Sequence, residues 1–203
     1  MPTSWIDTLK RIPIDLGQGS VAETTEGKQI ALRLVREGYG KRALDVGCRK
    51  GKQTIWLRSK GYTVTSIDVT CEIPDCQVVD VNQPLPFPSN HFDLVWCSEV
   101  IEHLKDPFRA LKEFRRVTVS GGQIILTTPN SYALPFRIFS LFGLPPQRLQ
   151  RADHLHFFNM AAIEQLCPDA EVYGYFPYTI IKKTIRKGVG LLSPTFVIRI
   201  QKP

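Results

Sequence analysis

The sequence predicts a doubly wound α/β fold: a mostly parallel sheet of seven strands with helices on both faces. Three observations carry this. Short β-branched, apolar runs alternate along the chain with amphipathic helical segments. A glycine-bearing turn, "RALDVGCRKGKQT" (42–54), joins the first such run to a helix. Polar residues recur at the carboxyl ends of the first four runs, the edge where ligands sit in sheets of this kind.

Each element has its own reason. "GKQIALRLVREG" (27–38) has apolar residues at helical spacing and ends in glycine. "RALDVG" (42–47) is a buried-strand run, and "KQTIWLRSKG" (52–61) is a helix with Gly61 just past its end. "YTVTSID" (62–68), "CQVVDV" (76–81) and "FDLVWC" (92–97) read as strands two to four. "KDPFRALKEFRRV" (105–117) is a helix capped by Asp106, with Pro107 at its first position. "GGQIILTTPN" (121–130) is strand five, and "NMAAIEQLC" (159–167) a short helix. "AEVYGYFPY" (170–178) and "PTFVIRIQKP" (194–203) close the sheet as a hairpin-like pair with a long connection.

The 203 residues suit one domain, 1–203, with a flap expected over 1–24 and a lid insertion over 131–158. The net charge is +7, and the one dense basic cluster, "IKKTIRKG" (181–188), reads as a solvated strand and turn. Five cysteines, an odd number with no CxxC pair, argue against a disulfide framework and a cysteine-built zinc site, and for a reducing, cytoplasmic setting. The N-terminus shows no apolar core of a signal peptide. The longest apolar stretch, 133–146, is too short and too interrupted to span a bilayer.

Three cofactors compete for the glycine turn. A dinucleotide fingerprint would need glycines at positions 49 and 52, which are Arg49 and Lys52. A phosphate-binding P-loop needs four residues between its glycines; Gly47 and Gly51 enclose three, and Gln53 stands where a magnesium-binding hydroxyl belongs. S-adenosylmethionine has no phosphates. It asks for one close backbone approach, a helix N-terminus near its carboxylate, and an acid one strand away for the ribose hydroxyls. Asp68, 21 residues beyond Gly47, has the spacing for that acid.

Taken in order, "ALDVGCRKG", "TSID", "VVDVNQPLPFPSNHFDLVWCSEVIEHLKDPFRALKEFRRV" and "GGQIILTTPN" resemble the successive motifs of class I S-adenosylmethionine-dependent methyltransferases with a Rossmann-like sheet. The resemblance is nearest to the branch with the ubiquinone-biosynthesis O-methyltransferases. It runs from about Gly27 to Asn130 and resumes at "DHLHFF" (153–158). It implies that Asp45, Gly47, Cys48 and Gly51 surround the methionine moiety, and that Asp68 and Val69 meet the ribose end. Asp80 and Val81 would meet the adenine, while Ser98 and Glu99 would close the pocket. Asp80 equally suits a local turn with Asn82. Arg49 departs from the usual middle glycine, at a position that can point to solvent.

The reaction so implied is methyl transfer to a small or lipid-like acceptor, an oxygen before a nitrogen or carbon, with S-adenosylhomocysteine as product. His103 and His154 are the candidate catalytic bases, with His156 also in reach; His91 reads as a surface turn residue. On a helical turn Glu99, Glu102 and His103 share a face. With His154 or His156 they could hold a divalent metal, a set that resembles the metal site of small-RNA 2′-O-methyltransferases. The alternatives are an RNA methyltransferase and a non-catalytic cofactor-binding module. The apolar, arginine-dotted 131–158 segment reads as a lid over a hydrophobic acceptor or as a packed contact surface.

Overall fold

A computed structural model describes residues 25–177 and 182–203; the flap expected over 1–24 lies outside the described residues. The eight strands are β1 (Arg42–Val46), β2 (Thr63–Asp68), β3 (Cys76–Val78), β4 (Phe92–Ser98), β5 (Thr118–Pro129), β6 (Glu171–Phe176), β7 (Lys183–Ile185) and β8 (Thr195–Gln201). They form one sheet in the order β3-β2-β1-β4-β5-β8-β6-β7. Strands β1 to β5 pair in parallel, and β8 runs antiparallel to both β5 and β6.

The predicted closing pair is therefore present. The expected count of seven is corrected to eight, because the "KKTI" stretch adds β7 as an antiparallel edge beside β6. Successive strands are added on one side of β1 as far as β3 and on its other side from β4 onward, so β1 and β4 flank the switch point, where sheets of this kind place a crevice at the carboxyl ends of the strands.

The helices are α1 (Glu26–Leu34), α2 (Lys52–Ser59), α3 (Pro107–Val117), α4 (Leu134–Leu141), α5 (Pro146–Leu149), α6 (Met160–Leu166) and α7 (Val189–Leu192). Two apolar layers hold them to the sheet. On one face Ala110, Leu111, Phe114 and Val117 of α3 pack against Val95, Cys97, Ile124 and Leu126. On the other, Ile30 and Ala31 of α1 and Leu57 of α2 pack against Trp96, Ile125 and Tyr175.

The caps follow from side-chain chemistry. Asp106 accepts from the Arg109 amide with Pro107 at the first position, and Asn159 accepts from the Ala162 amide. Helix α1 stops at Leu34, four residues before the glycine that the sequence suggested as its end.

One cysteine expectation is corrected. Cys71 and Cys76 form a disulfide, with Cα atoms 5.5 Å apart. Parallel pairing of β3 on β2 returns the short 69–75 loop to its start and brings the two thiols together. Spacing arguments built on CxxC pairs do not see this. Cys48, Cys97 and Cys167 are free and buried. No described helix is long and apolar enough to cross a membrane.

Candidate functional site

The crevice is built first by backbone. Gly47 (φ 74°) and Gly51 (φ 71°) turn the chain from β1 into α2. The Gly47 amide bonds the Ile67 carbonyl at 2.9 Å, and Gly51 caps α2 in a left-handed conformation. A Cβ at Gly47 would lie 2.4 Å from Val100 Cγ2, so the turn has no room for a side chain.

Arg49 takes the left-handed conformation that the missing glycine would have supplied, at φ 44°. Its amide donates to Asp68 Oδ2 at 3.0 Å, and the Thr70 amide donates to Oδ1 at 3.2 Å. The side chain at position 49 thus costs the loop no backbone bond to β2. The exposed Val69 directly follows that acid.

Asp45 lies beneath the turn, fully buried. Thr54 Oγ1 donates to its Oδ2 at 2.6 Å and is itself 2.8 Å from Ser66 Oγ. Burial pushes the Asp45 carboxyl up to about 6, against the Thr54 hydrogen bond, and the Asp68 charge adds to the rise. Both hydroxyls lie within the quoted segments "RALDVGCRKGKQT" and "TSID", but the sequence gives neither a role. Burial and the same two carboxylates lift the Cys48 thiol to about 11, so it is no nucleophile.

Because the folded-state value of Asp45 is raised, its contribution to stability is present below about pH 4 and is lost as pH rises through about 6. A shift of this size corresponds to about 3 kcal/mol. Asp45→Asn is therefore expected to gain about that much on the wild type between about pH 4 and pH 8, read by urea unfolding of both proteins across the range.

Asp80 accepts from both the backbone and side-chain nitrogens of Asn82 at 2.9 Å, the local-turn geometry that the sequence had allowed. Val81 beside it is buried. At the end of β4, Ser98 Oγ lies 2.7 Å from Thr127 Oγ1, which donates to Glu99 Oε1 at 2.9 Å. Glu99 turns the chain with φ 57°.

Beyond it the backbone makes a single 3₁₀ turn, Ile101–His103, with Glu99 before it at a left-handed φ, so the helical face expected to join Glu99 to Glu102 and His103 does not form. Glu102 and His103 are nonetheless brought together with His154, one ligand atom of each lying within 4.8 Å of the others. Their roles in hydrogen bonding differ. Thr128 Oγ1 donates to Glu102 Oε2 at 3.1 Å, but Glu102 Oε1 and His154 Nδ1 are buried with no hydrogen-bond partner.

His103 Nδ1 is 2.9 Å from the Asp153 carbonyl oxygen, which can only accept. The proton of the neutral ring is therefore on Nδ1, and the Nε2 lone pair faces Glu102 Oε1 at 4.0 Å. His156 is held elsewhere, with Nε2 donating to the Leu104 carbonyl at 2.9 Å. The amides of Leu155 and His156 both donate to the Glu102 carbonyl, which fixes the returning chain against the 3₁₀ turn.

Burial, then the neighbouring Glu99, pushes the Glu102 carboxyl well up; burial, then His103, pushes His154 down to about 4. Three unshared lone pairs thus converge, those of Glu102 and His154 buried and that of His103 half-buried. This is the environment that a divalent cation satisfies, and the carboxylate and two imidazoles fit one.

His91 sits in a turn, its amide on the Val117 carbonyl and its ring edge-on to Phe92.

A family model described as "Methyltransferase domain" matches residues 24–172. The chain belongs to this family. Among curated relatives, a malonyl-[acyl-carrier protein] O-methyltransferase of Erwinia billingiae is 31% identical over 117 residues, 53% of this chain and 46% of its own. A ubiquinone biosynthesis O-methyltransferase of Pseudomonas syringae pv. tomato is 31% identical over 108 residues, 45% of each chain. The chain thus spans about half the length of the curated relatives it matches.

The fold of this methyltransferase domain is that of an S-adenosylmethionine-dependent methyltransferase from Archaeoglobus fulgidus. The TM-score is 0.62 at 18% identity, over 87% of this chain and 94% of the other. A [4+2]-cyclase, SpnF, shares the fold at TM-score 0.59 and 17% identity, over 92% of this chain and 85% of its own. Fold alone therefore does not decide the chemistry, and the site must.

Proposed function

We propose that this methyltransferase domain transfers a methyl group from S-adenosylmethionine to a hydroxyl oxygen of a small or lipid-like acceptor. The observation that carries the reading is the junction of two half-sites. The glycine turn and Asp68 face one end of the crevice, and the Glu102–His103–His154 cluster lies just past Glu99 at the other.

In this reading the methionine carboxylate meets the N-terminus of α2, and the buried Asp45 underpins the turn. Asp68 accepts from the ribose hydroxyls while still holding the Arg49 and Thr70 amides, and the exposed Val69 offers the nucleoside an apolar cover. Asp80 and Val81 lie where the adenine would end. Ser98 and Glu99, tied through Thr127, wall the crevice toward the acceptor.

Glu102, His103 and His154 would hold a divalent cation. One carboxylate and two imidazoles suit a first-row ion such as Mn²⁺, Co²⁺ or Zn²⁺, with open positions for the acceptor. When bound, such an ion lowers the pKa of a coordinated hydroxyl. The chain itself aligns the acceptor oxygen with the sulfonium, excludes water, and fixes the His103 tautomer through the Asp153 carbonyl.

Both curated relatives named above are O-methyltransferases, which supports oxygen as the acceptor atom. The exposed side of the 131–158 excursion is apolar at Leu134, Ile138, Leu141 and Phe142, which favours a lipid-like acceptor over RNA.

The test supplies S-adenosylmethionine with the lipid fraction, the water-soluble small molecules or the RNA of a cell extract, separately. S-adenosylhomocysteine should accumulate with the lipid or small-molecule fraction. Product with RNA alone would replace the acceptor class, and none with any fraction would leave a cofactor-binding module.

A further inference from the structure

The excursion after β5 leaves and rejoins the sheet at one point. The Ser131 amide donates to the Phe158 carbonyl at 3.0 Å, and Ser131 Oγ donates to Gln150 Oε1 at 2.8 Å. Between these ties, α4 is pinned on its inner side by the buried Phe136. Its outer side carries Leu134, Ile138, Leu141 and Phe142, at spacings of four, seven and eight residues from the first, hence on one stripe. Leu141 is 84% and Phe142 76% exposed, so the stripe ends in two large apolar side chains standing in solvent.

The charge around this tip has one sign. Residues 131–152 contain three arginines and no aspartate or glutamate. Arg137 lies one helical turn before Leu141 and uses its Nε on the Tyr132 carbonyl. Arg148 reaches the Gly143 carbonyl, next to Phe142. Arg151 is paired with Asp153, whereas Arg137 and Arg148 have no carboxylate partner among the described residues. Unneutralised guanidiniums beside protruding leucine and phenylalanine are the combination that an anionic bilayer surface takes up. Apolar side chains enter the acyl boundary while the cations meet the headgroups.

We infer that the α4 tip, Leu141 and Phe142 flanked by Arg137 and Arg148, docks this chain on an anionic lipid surface. The inference does not rest on methyl transfer: it is a statement about binding and can fail or hold with the enzyme reading intact. Its consequence for that reading is geometric, because the return leg of the same excursion carries His154 to Glu102 and would bring the site mouth to the bilayer.

The test is co-sedimentation of the full chain with phosphatidylcholine vesicles, with and without phosphatidylglycerol. Binding is expected to the mixed vesicles, with little to pure phosphatidylcholine, and to weaken as salt is raised. Leu141→Asp with Phe142→Asp should abolish it, with circular dichroism reporting the fold. Arg137→Gln with Arg148→Gln, which leaves the apolar stripe intact, should weaken it about tenfold or more. Absence of binding, or binding indifferent to both variants, overturns the inference. So does a soluble dimer in sedimentation velocity that the Leu141→Asp/Phe142→Asp variant disperses, because a second copy would then cover the stripe.

Discussion

Asp68→Ala is expected to lower the affinity for S-adenosylhomocysteine about a hundredfold, measured by isothermal titration. The carboxylate stands at the end of β2 and would accept from two ribose hydroxyls, each a hydrogen bond to a charged group worth about 1.5 kcal/mol at a partly exposed position. Together that is about 3 kcal/mol, or two decades of affinity. Asp68 also anchors the Arg49 and Thr70 amides, so alanine loosens the turn as well as removing the acceptor.

Asp68→Asn separates the two effects. Its amide oxygen can still take the Arg49 amide but cannot serve both hydroxyls, so about a tenfold loss is expected with unfolding close to wild type. If Asp68→Ala titrates like the wild type, the ribose is held elsewhere and the whole placement of the nucleoside is wrong.

How far the sequence could be read depended on how local the signal was. The cap at Asp106 is encoded within a few residues and its helix stands where the sequence put it, whereas the third strand, read over 76–81, ends at Val78. Helices α4 and α5 lie inside the 131–158 segment that reads only as a lid; each carries a proline in its first turn, where proline suits a helix but gives no periodic apolar pattern to announce it. Strand β7 lies in the 181–188 stretch that reads as a solvated strand and turn, but its three residues carry too little apolar pattern to be counted into the sheet, which is therefore one strand larger than expected.

The site divides in the same way. The spacing of Gly47, Gly51 and Asp68 is visible in the chain, but the hydroxyls of Thr54 and Ser66 meet Asp45 through the register between β1, α2 and β2, which their place in the motifs does not reveal. "DHLHFF" offers two histidines, and composition cannot choose between them. Only the Leu104 carbonyl, which occupies His156, leaves His154 as the imidazole beside His103.

That choice sets the other large effect. Glu102→Gln and His154→Ala are each expected to weaken binding of Co²⁺ more than about a hundredfold, because even supporting partners of metal ligands cost ten- to a hundredfold when removed. The visible absorption of the cobalt-loaded chain reads this without any acceptor. Methyl transfer by the same variants, once an acceptor is found, should fall in step, and exhaustive chelation should bring the wild type to the same level.

His156→Ala provides the contrast. It loses one hydrogen bond to a carbonyl, worth about 1 kcal/mol of stability, and should bind cobalt within about twofold of the wild type. Full activity after chelation would leave Glu102 as a buried carboxyl pushed toward its protonated form by burial and by Glu99, a group that donates a hydrogen bond instead of gripping an ion. In that case His103, whose Nε2 lone pair is fixed by the Asp153 carbonyl, would be the one base in the cluster placed to take the acceptor's proton.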